Sequence, residues 1–190
     1  KPVGQMTPEE YEVHRAKTAV DKADGEKWNV EHPIDHQHIV DHWDKGTDDE
    51  HAAGMNWYKD AHHLARHVAN DTGHPISTVA GLLSNYSPQT HWATNMLTAA
   101  KVAASKIGVG GEGSGYFASD NQRTAADRIL AGEHHSKVLA GPKTKAFAHL
   151  IEHGGNADDE DPQVVVDRHA LSVACGSRAN DNAYQYSKLG

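Results

Sequence analysis

Residues 139–174, LAGPKTKAFAHLIEHGGNADDEDPQVVVDRHALSVA, decide how the rest of the chain is read. A Gly141-Pro142 corner enters an apolar run through Phe147, Leu150 and Ile151, which Gly154-Gly155 stops. Proline just inside the start and glycine just past the end are the punctuation of a helix. An acidic loop over residues 156–162 follows. Val164-Val165-Val166 then delivers Asp167-Arg168-His169 to the head of a second apolar run, Ala170, Leu171, Val173 and Ala174. Asp167 stands where an N-cap should be, and backbone N–H groups can hold a carboxylate there. Two roles fit that position: a cap alone, or a fixed negative charge facing a cleft.

Working outward, the same signals recur. Thr7-Pro8-Glu9-Glu10 starts a helix that the pattern carries to about Ala23. Residues 24–46 are rich in Asp, His and Gly and give no clear period. Thr47-Asp48-Asp49-Glu50 opens a long helix through Trp57, Leu64 and Val68 to Gly73. Pro75-Ile76 begins another, with Val79, Ala80, Leu82 and Leu83 apolar. Ser87 reads as the cap, and Pro88 as the first position, of a helix through Trp92, Met96 and Ala104. Residues 108–115 read as a flexible glycine loop; no Lys-Ser/Thr pair follows it, so a phosphate-binding P-loop is excluded. A helix from about Asn121 to Leu130, a hairpin over 132–142 and a last start at Asn180 complete the pass. With almost no strand signal, the fold class is all-α, with seven or eight helices.

The totals limit the function. There are 190 residues, 16 histidines, one cysteine and a formal charge of −8. A general nucleic-acid coat needs a basic face, which this balance does not give. The charge is uneven, however. Residues 21–60 hold 11 acids against 4 bases, whereas residues 123–145 hold 5 bases (Arg123, Arg128, Lys137, Lys143, Lys145) against 2 acids. The basic stretch adjoins the Gly-Pro corner. A lone Cys175 excludes an intramolecular disulfide, a Cys-ligated zinc site and an iron–sulfur cluster. No signal peptide or long apolar run is present, so a soluble, cytoplasmic protein without a membrane partner is expected. The chain starts at Lys1 and stops inside a promising helix, so a longer product is expected.

Three fragments, in order, resemble the helix-hairpin-helix superfamily of DNA glycosylases. Leu82-Leu83-Ser84 with Ser87-Pro88-Gln89-Thr90 resembles the apolar helix at the mouth of the base pocket. Leu139-Ala140-Gly141-Pro142-Lys143-Thr144 resembles the hairpin, and Val165-Val166-Asp167-Arg168-His169 resembles the Val-Asp-x-His that carries the catalytic aspartate. The wider pattern is similar to small glycosylase-like proteins of actinobacterial phages, which implies the cytoplasm of an infected bacterial host. The resemblance spans about residues 73–176. It implies a helix-hairpin-helix domain over residues 47–190 behind an acidic, His-rich helical extension over residues 1–46. It further implies DNA with a damaged or modified base as partner, and cleavage of an N-glycosidic bond with Asp167 as the catalytic carboxylate. Asn85, Tyr86 and Gln89 would line the base pocket. Gly141, Lys145 and His169 would contact the substrate backbone, and Lys143 would either contact phosphate or attack C1′ as a lyase nucleophile. No cofactor is implied.

The physical logic agrees with that chemistry. Breaking an N-glycosidic bond builds positive charge on the sugar, which a fixed carboxylate stabilises while it orients water. The base must first leave the stack. Two other readings stay open on the same fold: an enzyme that exchanges a group on a modified base, and a non-catalytic phage interaction protein. Asp35, His38 and His42, and the pair His63 and His67, have helical spacing for a metal, but no His-Glu-x-x-His motif completes either, and no metal site is assigned. Trp92 is expected in the core and Tyr86 in a loop.

Overall fold

A computed structural model describes residues 3–88, 90–105, 119–156 and 162–187. The described residues are helical and contain no strand. After a 3-10 turn at Val3–Gln5 come α1 (Pro8–Glu31), α2 (His36–Trp43), α3 (Asp48–Thr72), α4 (Ile76–Tyr86) and α5 (Trp92–Ser105). Then follow α6 (Asp120–Leu130), α7 (His135–Val138), α8 (Pro142–His153), α9 (Arg168–Ala174) and α10 (Asp181–Gln185). Among the described residues no helix is long and apolar enough to cross a membrane. The glycine loop at 108–115, Gln89 and most of the acidic loop lie outside the described residues.

The chain forms two compact units, residues 49–165 and residues 1–48 with 166–190. The sequence reading joined 166–190 to the segment beginning at 47. The contacts group it with the N-terminal residues instead, because α10 packs on α1 and α9 packs on α2.

The 49–165 unit is built around α4, ISTVAGLLSNY. Every residue from Thr78 to Tyr86 is buried, and the helix packs against α5, α6, α7 and α8. A helix of small, apolar and hydrogen-bonded polar residues, with no charge, can be buried on every side. Its small residues allow close neighbours: a Cβ at Gly81 would stand 2.8 Å from the Cβ of His135 and 3.3 Å from Ile129. Ala61, Ala65 and Ala69 of α3 add a small-residue stripe to the same core. Trp57, Trp92 and Phe147 cluster beside it, with Trp57 4.9 Å from Trp92 and 5.7 Å from Phe147 between ring centroids.

The C-terminal end of α4 leaves carbonyls without helical partners, and buried ones must find others. Asn95 of α5 donates to Leu83 O at 2.9 Å, and Gln122 of α6 donates to Asn85 O at 3.0 Å. Ser87 donates through its hydroxyl to Ser84 O at 2.9 Å. Ser87 therefore closes α4 and does not open α5, which begins at Trp92. The reading of Ser87-Pro88 as a helix start is corrected by this bond.

In the other unit α1 extends eight residues past Ala23, to Glu31. Gly25 is not a break but a contact. A Cβ there would fall 2.4 Å from Asn182 O, so only glycine lets α1 meet α10 this closely. Asn29 fastens the crossing by donating to both Gly25 O and Ala183 O. A small core of Leu171, Cys175, Ala179 and Ala183 is covered by Trp28 and Tyr184. Asp35 caps α2 and binds its own N–H to Ala174 O.

Two measurements test this packing. Gly81→Ala should lose about 1–3 kcal/mol in urea unfolding through overpacking against His135. Gly54→Ala, with no atom within 4 Å of the added carbon, should gain up to about 1 kcal/mol from helix propensity. Equal effects at the two positions would contradict the arrangement of α4. Burial, with a smaller contribution from Asp127, pushes the Tyr86 phenol up to about 12 against a partial opposition from Arg123. A raised phenol favours the neutral folded state. That stability is complete below the ordinary value of about 10 and is lost as pH rises through about 12. Tyr86→Phe should flatten the fall in melting temperature across this alkaline window. It should leave stability at neutral pH unchanged or higher, because the buried Tyr86 hydroxyl has no hydrogen-bond partner among the described residues.

Candidate functional site

In the 49–165 unit the chain turns from α7 into α8 through Leu139-Ala140-Gly141. Leu139 is buried and anchors the turn in the core. Gly141 is the N-cap of α8 and Pro142 its first residue; among the described residues no side chain caps this end. The N–H groups of Lys143 and Thr144 therefore face outward from the first turn, an arrangement that favours an anion. Thr144 donates through its hydroxyl to Gly141 O at 2.9 Å, and Ser84 donates to Thr144 O at 2.6 Å. The second bond sets the end of α4 directly against the head of α8. Lys143 is half-buried and Lys145 is exposed.

Asn85 and Tyr86 lie at this same end of α4, inside the helix and not in a loop. Both are buried, with Tyr86 only 3% exposed. The Asn85 amide donates to Gln122 O at 2.8 Å, the reverse of the Gln122 bond to Asn85 O. The structure thus gives Asn85 a joining role between α4 and α6. Gln89 lies outside the described residues.

The other unit carries Asp167 and His169. Asp167 is the N-cap of α9, and its Oδ1 accepts from the His169 and Ala170 N–H groups, each at 2.9 Å. Oδ2 makes no hydrogen bond among the described residues. The carboxylate is half-exposed and the His169 ring exposed. Behind the cap, the Tyr184 hydroxyl donates to Val166 O at 2.8 Å. Burial, and then the nearby negative charge of Asp167, raise the Tyr184 phenol above its ordinary value. Tyr184 is a neighbour of Asp167 that the sequence did not indicate, since the two come together only when α10 packs on α9. Arg168 turns to Asp181, 3.5 Å away.

The same unit contains a cleft of about 390 Å³ lined by His38, His42, Lys45 and Arg178 with Asp41 and Ser177. The spacing of Asp35, His38 and His42 does not produce a shared ligand set. Asp35 is spent on the Gln37 N–H, and His38 Nδ1 lies 3.2 Å from Ala174 O with its ring against Gly176.

A different set converges in the 49–165 unit. His135 Nε2 lies 2.6 Å, and His134 Nε2 3.5 Å, from the same Glu152 oxygen. The three ligand atoms lie within 4.8 Å of one another, the one such group among the described residues. Sequence reasoning missed it because the adjacent histidines and the glutamate stand 17 residues apart and meet only through the packing of α7 on α8.

No curated protein and no solved structure matches the chain. A family model described as a family of unknown function, DUF7178, matches residues 29–190. That span includes α2 to α10 and all the groups described above, so the chain belongs to the DUF7178 family.

Proposed function

We propose that this protein is a DNA base glycosylase-like enzyme of helix-hairpin-helix type, acting on the N-glycosidic bond of a flipped damaged or modified base. The observation that carries the reading is the state of Asp167. Two backbone N–H groups immobilise one oxygen at the head of α9, and the other makes no hydrogen bond among the described residues. A carboxylate so fixed stabilises positive charge developing on a sugar without reorganising, and can accept a proton from the attacking water. Tyr184, bonded to Val166 O, braces the residue before the cap.

The turn from α7 to α8 supports the same reading. Its uncapped N–H groups with Lys143 and Lys145 suit a backbone phosphate, and contacts of this kind position DNA without reading sequence. Pro142 removes one N–H from the set, so the two lysines carry more of the binding than the backbone does. In this scheme Lys143 holds phosphate, with attack on C1′ as its lyase alternative. Asn85 and Tyr86, expected at the base pocket, are buried supports of the α4 end that meets the head of α8.

The test separates charge from cap. Asparagine caps a helix as well as aspartate does, so Asp167→Asn keeps α9 and loses only the fixed charge. Bases released from modified and unmodified duplexes would be identified by mass spectrometry. The wild type should release one class of base, and Asp167→Asn should lower that rate about a thousandfold with DNA affinity intact. Equal release by both proteins would overturn the assignment. Lys143→Gln should weaken binding and reduce the salt slope by about one; an unchanged slope removes this lysine from the phosphate contact.

A further inference from the structure

We infer that His134, His135 and Glu152 form a binding site for a divalent transition metal of the zinc type, tying α7 to α8. The inference uses none of the groups assigned to DNA and stands apart from that reading. Two imidazole nitrogens and one carboxylate oxygen are a donor set for zinc and its neighbours; calcium and magnesium prefer oxygen alone.

The geometry matches a metal on the His134 side and needs the His135 pair to open. Bonds of about 2.0–2.1 Å at tetrahedral angles place ligand atoms roughly 3.3 Å apart. His134 Nε2 is 3.5 Å from Glu152 Oε2, close to that spacing. His135 Nε2, at 2.6 Å, is closer than that because a hydrogen bond joins the two atoms. Metal entry takes the place of that bonding proton: the neutral imidazole carries its one proton on Nδ1, and the pair opens from 2.6 Å by roughly 0.7 Å.

A plain His–Glu pair does not account for the whole arrangement. One histidine satisfies one carboxylate oxygen, yet two turn the same ring nitrogen toward it, their rings 4.2 Å apart. Buried His135, 2% exposed, gains nothing on its other side, where Nδ1 has no hydrogen-bond partner among the described residues. Surrounding bonds hold the ligands in place, as outer partners do in metal sites. His134 Nδ1 accepts the Ser136 N–H at 3.3 Å as the α7 cap and lies 2.9 Å from Ser136 Oγ; with metal on Nε2 the ring proton sits on Nδ1 and is donated to that hydroxyl. His62 Nδ1 lies 3.1 and 2.9 Å from the carbonyls of Ile151 and Glu152, which fixes the turn that carries the carboxylate. Three protein ligands leave a fourth position for water, on the side of His134, the most exposed of the three.

The experiment is calorimetric titration of the untagged full chain with Zn²⁺ at neutral pH, paired with thermal melting with and without the metal. The wild type should bind one tight equivalent and melt higher with it. His134→Ser preserves a capping side chain for α7 and should weaken that equivalent at least about tenfold and remove the melting shift. Glu152→Gln should do the same. The double variant His63→Ala, His67→Ala removes an exposed histidine pair on α3 and should leave the equivalent unchanged. Absence of a saturable equivalent would overturn the site, as would one that survives His134→Ser or disappears with His63 and His67.

Discussion

The constraint on which the larger unit depends is the termination of a helix inside a core. An α4 buried from Thr78 to Tyr86 is closed to solvent in its last turn, so its open carbonyls must be answered by protein. Asn95, Gln122 and Ser87 answer Leu83, Asn85 and Ser84 respectively. These bonds fix where α5 and α6 cross α4, and Ser84 extends the set to α8 through Thr144. Polar residues in this core are thus joints between helices. Removing the Asn95 or Gln122 amide would take the side-chain donor from a buried carbonyl, at a cost of about 1–3 kcal/mol.

The second unit solves a different problem with less apolar material. Among the described residues Leu171, Cys175, Ala179 and Ala183 cluster beneath Trp28 and Tyr184, and its helices approach through glycine and asparagine. Gly25 admits the Asn182 carbonyl, and Asn29 bonds two carbonyls across the crossing. Gly176, at φ 62°, holds a backbone conformation that suits glycine and accepts the His38 ring against it. Asp167 stands at the edge of this small core. Its position therefore follows from the docking of α9 and α10 as much as from its own capping bonds.

Much of the fold was legible because helix ends are written locally. Thr7 with Glu10, Asp167 and Asn180 all cap as their sequence contexts imply, and Gly154 closes α8 in the left-handed conformation. The failures are non-local. Ser87-Pro88 has the local form of a helix start, but Ser87 bonds backward to Ser84. Gly25 has the form of a breaker, yet it serves a contact 157 residues away at Asn182. Residues 132–142 read as a hairpin but contain α7, a four-residue helix too short to show a period. The candidate groups divide along the same line. Asp167 was legible as a cap, whereas Tyr184 beside it and Glu152 beside His135 needed the packing of helices.

The head of α8 joins the surface to the interior through a single peptide unit. The Lys145 N–H of that unit goes to Gly141 O, and its oxygen, Thr144 O, takes the Ser84 hydroxyl. A peptide plane fastened on both edges does not tilt when something presses on the turn. The head of α8 is therefore an anvil and not a jaw: whatever lands there meets a shape already set, and selectivity at that spot must come from the outline and charge of the surface as it stands.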